Sequence, residues 1–315
     1  MRVAVLDDYL NVAKGLADWS SLGAEVVFFP EYIEPSERAS VLAPFDVIVA
    51  MRERTAFPAS LIQSLAALRL LVTTGARNNS IDLDACRQKG VVVSGAPGDP
   101  LSAGATAELA WALLLGLFKG IPRESANMQK GLWQTSMPPT LAGKRLGLVG
   151  VGNLGQRVAR VGAAFGMDVV AWSPNLTAER AREAGVAMVE KQELFRTSDA
   201  ISLHLVLSAR TRNIVDADCI RAMKPTAYLV NTSRSGLVDL QALRNALEHG
   251  AIGGAGLDVF DHEPLAADDP WRNVPRTLLT PHLGYATPEN FAAFYPNVVS
   301  AILAWREGNP IRKLT

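Results

Sequence analysis

The stretch that decides the fold spans residues 146–155 and has the sequence Leu-Gly-Leu-Val-Gly-Val-Gly-Asn-Leu-Gly. It begins with a short apolar run and leads into a helical pattern at residues 156–165. In such a strand–turn–helix unit, Gly150 permits the tight turn, Gly152 lets a ligand approach the backbone, and Gly155 lets the helix pack close to the strand. Free N–H groups at the positive end of a helix bind phosphate oxygens. The stretch therefore predicts a dinucleotide-binding loop, and the alternative is a glycine turn with a purely structural role.

Short apolar runs typical of strands alternate with helical patterns on both sides of this loop. The first series of expected strands comprises residues 3–6, 25–29, 46–51, 68–73 and 91–94. The second series comprises residues 146–149, 168–172, 200–205, 227–230, 252–258 and 277–280. Strands that alternate with helices are typical of βαβ units, because parallel strands need a long crossover. We therefore predict an α/β protein with two doubly wound parallel-sheet domains.

Two long helical patterns flank the second series of strands. They cover residues 102–130, with a kink expected at Pro122, and residues 288–307. This arrangement predicts that the second domain is inserted into the first and that the C-terminal helix returns to the first domain. The expected domains are a discontinuous flavodoxin-like substrate domain at residues 1–100 and 287–315 and a Rossmann NAD(P)-binding domain at residues 101–286.

Composition limits the classes of protein to consider. The 315 residues include 31 Lys or Arg and 31 Asp or Glu, so the formal net charge is zero. A neutral chain lacks the overall basic field of a nucleic-acid-binding protein. Hydrophobic residues make up 49% of the chain and charged residues 20%, which favours packed cores over disorder.

The cysteines and the apolar runs bear on the cellular compartment. Cys86 and Cys219 are far apart and have no CxxC or Cys/His ligand spacing. This pattern argues for a reducing compartment and against a disulfide framework or a metal site. The chain opens on an expected strand without a signal segment, and residues 109–118 are about half of the ~20 residues that a membrane-spanning helix needs. We therefore expect a cytoplasmic protein without a membrane partner.

The segment after the second strand of the dinucleotide unit governs which dinucleotide binds. An acidic residue that bonds the adenosine ribose hydroxyls is normal there, whereas residues 172–175 are the neutral Trp-Ser-Pro-Asn. A neutral segment does not repel a 2′-phosphate, and Arg180 and Arg182 follow it, which favours NADP. Alternatively, Ser173 and Asn175 bond the ribose of NAD. The sequence leaves NAD and NADP open.

Three further segments each follow an expected strand, where ligands bind in open parallel sheets. They supply Arg234, Glu263 and His282. An imidazole exchanges protons near neutral pH, so His282 could serve a keto oxygen while Glu263 orients the ring. The planar guanidinium of Arg234 suits a carboxylate and its neighbouring carbonyl. Singly these are a surface arginine, a loop glutamate and a turn histidine. Together, after a dinucleotide loop, they predict hydride transfer at C2 of a small 2-hydroxy or 2-keto acid.

Four stretches carry a family resemblance along nearly the whole chain. They are residues 141–155 (LAGKRLGLVGVGNLG), 223–234 (MKPTAYLVNTSR), 254–264 (GAGLDVFDHEP) and 280–284 (TPHLG). In this order they resemble the D-isomer-specific 2-hydroxyacid dehydrogenases. The resemblance implies that Arg234, Glu263 and His282 are the catalytic residues. It also implies further cofactor-binding residues: Asn153 and Leu154 under the diphosphate, Thr232, Ser233 and Gly284 along the cleft, and Asp258 near the nicotinamide amide.

The same resemblance implies an activity and an assembly. The activity would be that of a glyoxylate- or hydroxypyruvate-type reductase or a similar NAD(P)-dependent D-2-hydroxyacid dehydrogenase. A homodimer would form through residues 102–130, and a hinged pair of domains would close to exclude water. The alternative is an NAD(H)-sensing binding protein of corepressor type without significant turnover, against which the complete Arg–Glu–His set argues. A formate dehydrogenase is a weaker alternative, because that reaction needs no proton donor for a carbonyl.

The expected substrate loop departs from the family pattern. Within residues 73–82, backbone N–H groups near Gly75 and Ala76 would hold the substrate carboxylate, but Arg77 stands where relatives usually have a second glycine. Arg77 either adds a cation for a second acidic group or points to solvent. Arg52, at the end of an expected strand, is a further candidate for binding the substrate. The identity of the acid is therefore left open.

Overall fold

The chain folds into two compact units, and the computed structural model describes residues 1–315. The first unit comprises Met1–Ala103 and Ala286–Thr315, and the second comprises Gly104–Tyr285. The chain leaves the first unit three residues later than the sequence predicts and re-enters it one residue earlier. The second unit is thus an insertion in the sequence of the first.

The first unit is built on a five-stranded sheet. Its strands are β1 (Arg2–Val5), β2 (Glu25–Phe28), β3 (Val47–Ala50), β4 (Leu70–Thr74) and β5 (Val92–Ala96). Its short connecting helices are α1 (Arg38–Leu42), α2 (Ala59–Ser64) and α3 (Leu83–Lys89). All neighbouring strands are parallel, in the order β2-β1-β3-β4-β5. Every residue of β3 and β4 is buried, as parallel strands require when both faces of the sheet are covered.

The second unit is built on a seven-stranded sheet. Its strands are β6 (Arg145–Val149), β7 (Asp168–Trp172), β8 (Ala187–Met188), β9 (Ala200–Leu203), β10 (Tyr228–Asn231), β11 (Gly254–Leu257) and β12 (Thr277–Leu279). Its helices are α4 (Ala105–Lys119), α5 (Ile121–Gln129), α6 (Asn153–Ala164), α7 (Ala178–Glu183), α8 (Lys191–Thr197), α9 (Ala217–Ala222) and α10 (Leu240–Glu248). The strands are parallel in the order β12-β11-β10-β9-β6-β7-β8. The prediction of two doubly wound parallel-sheet domains is therefore confirmed.

The C-terminal helix, α11 (Pro288–Arg306), belongs to the first unit and packs against β4 and β5. The hydroxyl of Thr287 caps its first turn by accepting a hydrogen bond from the backbone N–H of Asn290 at 3.2 Å. Phe294 and Tyr295 are almost fully buried. Their burial holds the end of the chain to the first sheet.

Alternate residues of β6 lie on opposite faces of the second sheet. Leu146 and Leu148 belong to an apolar cluster with Trp111 of α4, whereas Val149 belongs to a separate cluster with Phe195 of α8. This is the two-residue period of a strand. Because helices cover both faces, the ends of the strands are where a ligand can approach the sheet.

The prediction of one helix across residues 102–130, kinked at Pro122, is wrong. A short 3₁₀ helix at Pro100–Gly104 precedes α4, and the break falls at Gly120. Gly120 adopts the left-handed conformation (φ 60°), and its N–H bonds the carbonyls at the end of α4. Pro122 sits in the first turn of α5, where a missing N–H removes no helical hydrogen bond. Glycine therefore ends one helix here, and proline starts the next.

One helical segment, Pro100–Lys119, is long and apolar enough to cross a membrane by length and composition alone. The apolar run that the sequence analysis placed at residues 109–118 is therefore part of a longer helical segment. About 44% of its 18-residue apolar stretch is buried in the protein, and α4 buries Trp111, Leu113 and Leu114 in the core of the second unit. This burial is typical of an apolar core helix.

The short edge strand β8 was not predicted. It contains only two residues, and both are exposed. Two exposed residues carry no alternation of apolar and polar side chains, so no sequence period marks them.

Candidate active site

The parallel register brings several loops to one edge of the second sheet. The paired residues at the carboxyl ends of five neighbouring strands are Val149, Leu203, Asn231, Leu257 and Leu279. The loops that follow them leave the sheet at the same edge, which we call the carboxyl edge. The glycine loop, Arg234, Glu263 and His282 all follow these strands, so the structure brings them to the carboxyl edge.

The glycine loop has the features that a bound diphosphate requires. Gly150 has φ of 100°, which favours glycine, and its N–H donates to the Trp172 carbonyl at 2.9 Å. A Cβ on Gly155 would overlap the carbonyl oxygen of Gly150, whereas a Cβ on Gly152 would meet nothing within 4 Å. The helix α6 begins at Asn153, three residues earlier than predicted, and no side chain caps its first N–H groups. The loop therefore fits a phosphate group at an open, positive helix end.

The remaining residues expected at this loop lie in α6 and after β7. Asn153 and Leu154 form the first turn of α6, with Asn153 exposed and Leu154 half-buried. Ser173 directly follows β7 and is half-buried, and its carbonyl accepts a hydrogen bond from Leu176 at 3.2 Å. All three lie next to the glycine loop, since Gly150 N–H bonds the carbonyl of Trp172, the residue before Ser173.

We expect Gly155→Ala to damage both stability and dinucleotide binding. The added methyl group collides with the Gly150 carbonyl, so the turn must shift. Overpacking of this kind costs about 1–3 kcal/mol of unfolding free energy. Urea unfolding and fluorescence titration with reduced dinucleotide measure the two effects. Gly152→Ala is the matched control: it should keep wild-type stability but weaken dinucleotide binding. Wild-type stability of Gly155→Ala would contradict the close contact.

A buried asparagine shapes the loop that carries Arg234. Asn231, fully buried at the end of β10, donates through Nδ2 to the Arg234 carbonyl at 2.8 Å and accepts from Ser233 N–H at 3.0 Å. The half-buried Arg234 donates through Nη1 to the Ser233 carbonyl at 2.6 Å. The sequence analysis did not single out Asn231. The sequence feature that could have identified it is an amide side chain at the end of an expected strand, because a buried amide needs hydrogen-bond partners.

The two hydroxyl residues of this loop differ in their bonding. Ser233 donates through Oγ to the carbonyl of Leu203 at 2.7 Å, so its hydroxyl is used within the protein. Thr232 is only 4% exposed, and its Oγ1 has no hydrogen-bond partner. A buried hydroxyl without a partner costs about 1–3 kcal/mol, which a bound polar group would offset. The Thr232 hydroxyl is thus an unsatisfied polar group, which a ligand bound beside the glycine loop could hydrogen-bond.

Glu263 and His282 form a direct pair. The Nδ1 atom of His282 lies 2.6 Å from Oε2 of Glu263, and Oε1 of Glu263 accepts from the backbone N–H of Phe260 at 2.8 Å. The side chains of His282 and Glu263 are 18% and 21% exposed, respectively. Tyr285 packs edge-on against the imidazole, with ring centroids 5.6 Å apart. Because Glu263 occupies Nδ1, the other ring nitrogen, Nε2, is available to a substrate.

Asp258 anchors the loop that carries His282. Its carboxylate is fully buried and accepts from Thr280 Oγ1 at 2.6 Å, Leu283 N–H at 2.7 Å and Gly284 N–H at 3.0 Å. Burial raises the pKa of Asp258, and these donors, with His282, act in the opposite direction. The Gly284 carbonyl in turn accepts from a threonine hydroxyl of α4 at 2.6 Å. The sequence predicted Asp258 and Gly284 as cofactor-binding residues. In the structure, their hydrogen bonds also fix the position of the loop that carries His282.

A second histidine at the carboxyl edge, His204, is a poor proton donor. It follows β9, and its Nε2 atom lies 2.9 Å from the hydroxyl of Ser202. Burial lowers the pKa of His204 to about 4, so the ring is neutral near pH 7. Of His204 and His282, the histidine paired with Glu263, His282, is therefore the better candidate for proton transfer.

The expected substrate loop lies in the first unit, after β4. Gly75 has φ of 99°, and its N–H donates to the Ala96 carbonyl at 2.6 Å, so this N–H is not available to a substrate. The backbone N–H groups of Ala76 and Arg77 make no hydrogen bond within the protein. The side chain of Arg77 is exposed and makes no hydrogen bond or ion pair. In this conformation Arg77 therefore points to solvent.

The structure brings Arg52 to this loop. A Cβ on Gly75 would lie 2.9 Å from Arg52 Nη1, so the guanidinium covers the glycine. The Arg52 N–H donates to Thr74 Oγ1 at 3.0 Å. The buried Asn78 donates to the Arg52 carbonyl and to Thr73 Oγ1, the latter at 2.9 Å. The sequence analysis missed Asn78, which holds the loop and Arg52 together.

Comparisons with known proteins agree with this architecture. Residues 111–284 match the family model described as D-isomer specific 2-hydroxyacid dehydrogenase, NAD binding domain. Hydroxypyruvate reductase from Thermotoga maritima is 35% identical over 268 residues, which cover 82% of this chain and 84% of that protein. A solved structure of phosphoglycerate oxidoreductase from Vibrio cholerae is 34% identical with a TM-score of 0.90, covering 98% of this chain and 99% of that one.

Some curated relatives are much longer than this chain. D-3-phosphoglycerate dehydrogenase from Synechocystis is 34% identical over 260 residues, which cover 82% of this chain but only 46% of that protein. The chain thus spans about half the length of such relatives. The match to the family model, and the similarity to a reductase of comparable length, show that the chain belongs to the D-isomer-specific 2-hydroxyacid dehydrogenase family.

Proposed function

We propose that the protein is an NAD(P)-dependent D-2-hydroxyacid dehydrogenase that interconverts a small 2-keto acid and its D-2-hydroxy acid, with glyoxylate and hydroxypyruvate as the first candidates. The observation that carries this proposal is the 2.6 Å pair of His282 and Glu263 on the same sheet edge as the glycine loop. A proton-transfer group beside a dinucleotide loop is what carbonyl reduction requires. The similarity to a hydroxypyruvate reductase supports this choice of substrate class.

The dinucleotide would be held mainly by the glycine loop. The N–H groups of Asn153, Leu154 and Gly155 would bind its diphosphate, and the unsatisfied Thr232 hydroxyl would gain a partner. Ser173 would bond the adenosine ribose. When bound, the nicotinamide ring supplies or accepts the hydride.

His282 would move the proton that accompanies hydride transfer. In the direction of reduction, Nε2 gives its proton to the keto oxygen, while Nδ1–H keeps donating its hydrogen bond to the Glu263 carboxylate. In the direction of oxidation, Nε2 takes the hydroxyl proton, and the Glu263 carboxylate stabilises the resulting imidazolium. Arg234 would bind the substrate carboxylate and polarise the carbonyl, because its fork of N–H groups matches both oxygens.

The loop of the first unit would add groups for an acid. Since Gly75 N–H is used within the sheet, the candidates are the free N–H groups of Ala76 and Arg77 and the guanidinium of Arg52. We propose that these groups bind the substrate carboxylate. A second acidic group on the substrate would fit the exposed Arg77 side chain.

The test of the activity is a spectrophotometric assay at the reduced-nicotinamide band. NADH and NADPH are each combined with glyoxylate, hydroxypyruvate, a phenyl-substituted 2-keto acid and other 2-keto acids, and the chirality of the product is determined. Turnover to the D-2-hydroxy acid is the expected result. Dinucleotide binding without turnover on any acid would overturn the proposal and favour a sensor of corepressor type.

We also propose that the protein is a homodimer. Helix α5 buries none of its residues. The exposed apolar side chains on α5 and in the segment after it are Ile121, Met128, Leu132, Trp133 and Met137. Trp133 is 75% exposed and Met137 is 97% exposed, which supports an interface with a second copy of the chain at this surface.

Light scattering should give twice the 33.8 kDa mass of one chain. The double variant Trp133→Glu, Met137→Glu should shift the mass to that of a monomer, because it places charges in the proposed interface. Leu10→Glu, at an exposed position in the first unit, is the control and should stay dimeric. A monomeric wild-type protein would refute the proposal.

A cytoplasmic location is part of the proposal. Cys86 and Cys219 are buried, unpaired thiols, as is common in a reducing compartment. Burial raises the pKa of Cys86 to about 11, which keeps the thiol protonated and unreactive. Fractionation of cells that produce the protein tests this location, and recovery outside the cytoplasm would contradict it.

A further inference from the structure

We propose that the protein binds NADP(H) in preference to NAD(H), and that Arg210 and Arg180 form the binding site for the phosphate on the 2′ position of the adenosine ribose. The proposal rests on the proposed function to the extent that a dinucleotide must occupy the glycine loop. It goes further by naming the cofactor and the residues that select it. Arg180 and Arg210 follow β7 and β9, the two strands on either side of β6, which leads into the glycine loop.

The end of β7 lies directly beside the glycine loop. Trp172, the last residue of β7, is paired with Val149 of β6, and its carbonyl accepts from Gly150 N–H. A dinucleotide on the glycine loop presents its adenosine ribose to the residues that follow this second strand. Here those residues are Ser173, Pro174 and Asn175, which carry no charge. The segment therefore lacks the carboxylate that would bind the ribose hydroxyls of NAD and repel a phosphate.

Two arginine side chains converge on Asn175. Arg180 of α7 donates through Nη1 to the Asn175 carbonyl at 3.4 Å. With the Asn175 amide oriented so that its nitrogen donates to the Pro174 carbonyl at 3.2 Å, its oxygen accepts from Arg210 Nη2 at 3.0 Å. Arg210 comes from the loop after β9, 35 residues further along the chain. The fold thus places the guanidinium of Arg210 beside Asn175, where the sequence indicated only the nearby arginines of α7.

The charges of Arg180 and Arg210 are not neutralised within the protein. Neither guanidinium forms a salt bridge with a carboxylate, and both side chains are exposed. Arg182, two residues from Arg180, differs because it pairs with Glu179 at 3.5 Å. A phosphate dianion next to Asn175 would meet two unpaired cations. Each can form charge-assisted hydrogen bonds, which are stronger than the present single bonds to an uncharged residue.

The loop that carries Arg210 is held by its own hydrogen bonds. The hydroxyl of Thr211 donates to the Val206 carbonyl at 2.7 Å and accepts from Ser208 N–H at 2.8 Å. The N–H of Arg212 donates to the Ser208 carbonyl at 3.0 Å. Since Thr211 is only 8% exposed, the backbone next to Arg210 is fixed while the guanidinium stays in solvent. The backbone of this loop therefore loses little conformational entropy when a phosphate binds.

The test is direct binding, measured by nicotinamide fluorescence or calorimetry without any substrate. NADPH is compared with NADH, and adenosine 2′,5′-bisphosphate with adenosine 5′-phosphate. We expect the 2′-phosphorylated member of each pair to bind at least about tenfold more tightly, as a charge-assisted phosphate contact predicts. Arg210→Ala and Arg180→Ala should each raise the Kd for the 2′-phosphorylated ligands about tenfold. Their affinity for NADH should change by less than about twofold.

Arg182→Ala is the matched control, because it removes the same charge from the same helix at a position that is already paired with Glu179. It should leave both affinities near wild type, and thermal unfolding should show that all variants are folded. Equal binding of NADH and NADPH would overturn the preference and leave the proposed function standing. An equal loss of both ligands in Arg210→Ala would assign Arg210 a structural role and overturn its part in selection. If neither NADH nor NADPH binds the wild-type protein, the proposed function itself is overturned.

Discussion

Replacement of His282 by Gln is expected to lower kcat by about a thousandfold or more, with dinucleotide affinity unchanged. A glutamine amide can still donate a hydrogen bond to Glu263, but it cannot give or take a proton. The loop should keep its conformation, because Asp258 holds the backbone of Leu283 and Gly284 independently of the imidazole. Steady-state kinetics in both directions, together with titration of the dinucleotide, measure the effect.

The neighbouring histidine provides the control. His262 is exposed on the loop that carries Glu263, so His262→Gln removes an imidazole from the same region without touching the pair. Its kcat should stay close to wild type. If His282→Gln turns over near the wild-type rate, or if both variants lose activity equally, His282 is not the proton-transfer group.

Glu263→Gln should separate orientation from proton transfer. The amide keeps a hydrogen-bonding group next to Nδ1 but removes the negative charge that favours the imidazolium. Since reduction needs a protonated imidazole, kcat in the reducing direction should therefore fall, while dinucleotide affinity stays near wild type. Wild-type kcat for Glu263→Gln in the reducing direction would show that Glu263 does not act through the charge on His282.

Arg234→Ala is expected to lower kcat/KM by about a hundredfold to a thousandfold. This is the range found when an enzyme loses one preorganised electrostatic donor. The guanidinium is the only proposed cation of the second unit for the substrate carboxylate, and it also polarises the carbonyl. The backbone of the loop should survive, since Asn231 bonds the carbonyl of Arg234 and the N–H of Ser233. Dinucleotide affinity and thermal unfolding should therefore stay near wild type.

Two further measurements make the role of Arg234 specific. Added guanidinium ion at non-denaturing concentration should restore part of the activity of Arg234→Ala, whereas Arg234→Lys should restore little because an ammonium lacks the planar fork. Arg244→Ala, which removes an arginine paired with Glu248 on α10, is the control and should keep wild-type kinetics. Retention of kcat/KM within tenfold in Arg234→Ala would exclude Arg234 as the group that binds the carboxylate.

The sequence by itself determined the class of fold and the types of residue at the site. The strands of both sheets are short apolar runs separated by helical patterns, and burial on both faces of a parallel sheet produces that signal directly. The glycine loop was also predictable from the sequence. A tight turn, an open backbone and a close helix–strand contact each require a residue without a side chain, and these positions have a fixed spacing. Arg234, Glu263 and His282 were predicted because each follows an expected strand. In a parallel sheet, a residue that follows a strand lies at the carboxyl edge.

Only the tertiary structure decided which of these groups meet and what holds them. Glu263 and His282 are 19 residues apart and come together only because β11 and β12 are neighbours in register. The anchoring role of Asp258 and the position of Arg210 beside Asn175 likewise depend on contacts between loops of different strands. The helix α4 ends at Gly120 because this glycine adopts the left-handed conformation there, while Pro122 fits the first turn of the next helix. Local periodicity reports the burial of each segment, but contacts between distant segments depend on sheet order and register, which periodicity does not encode.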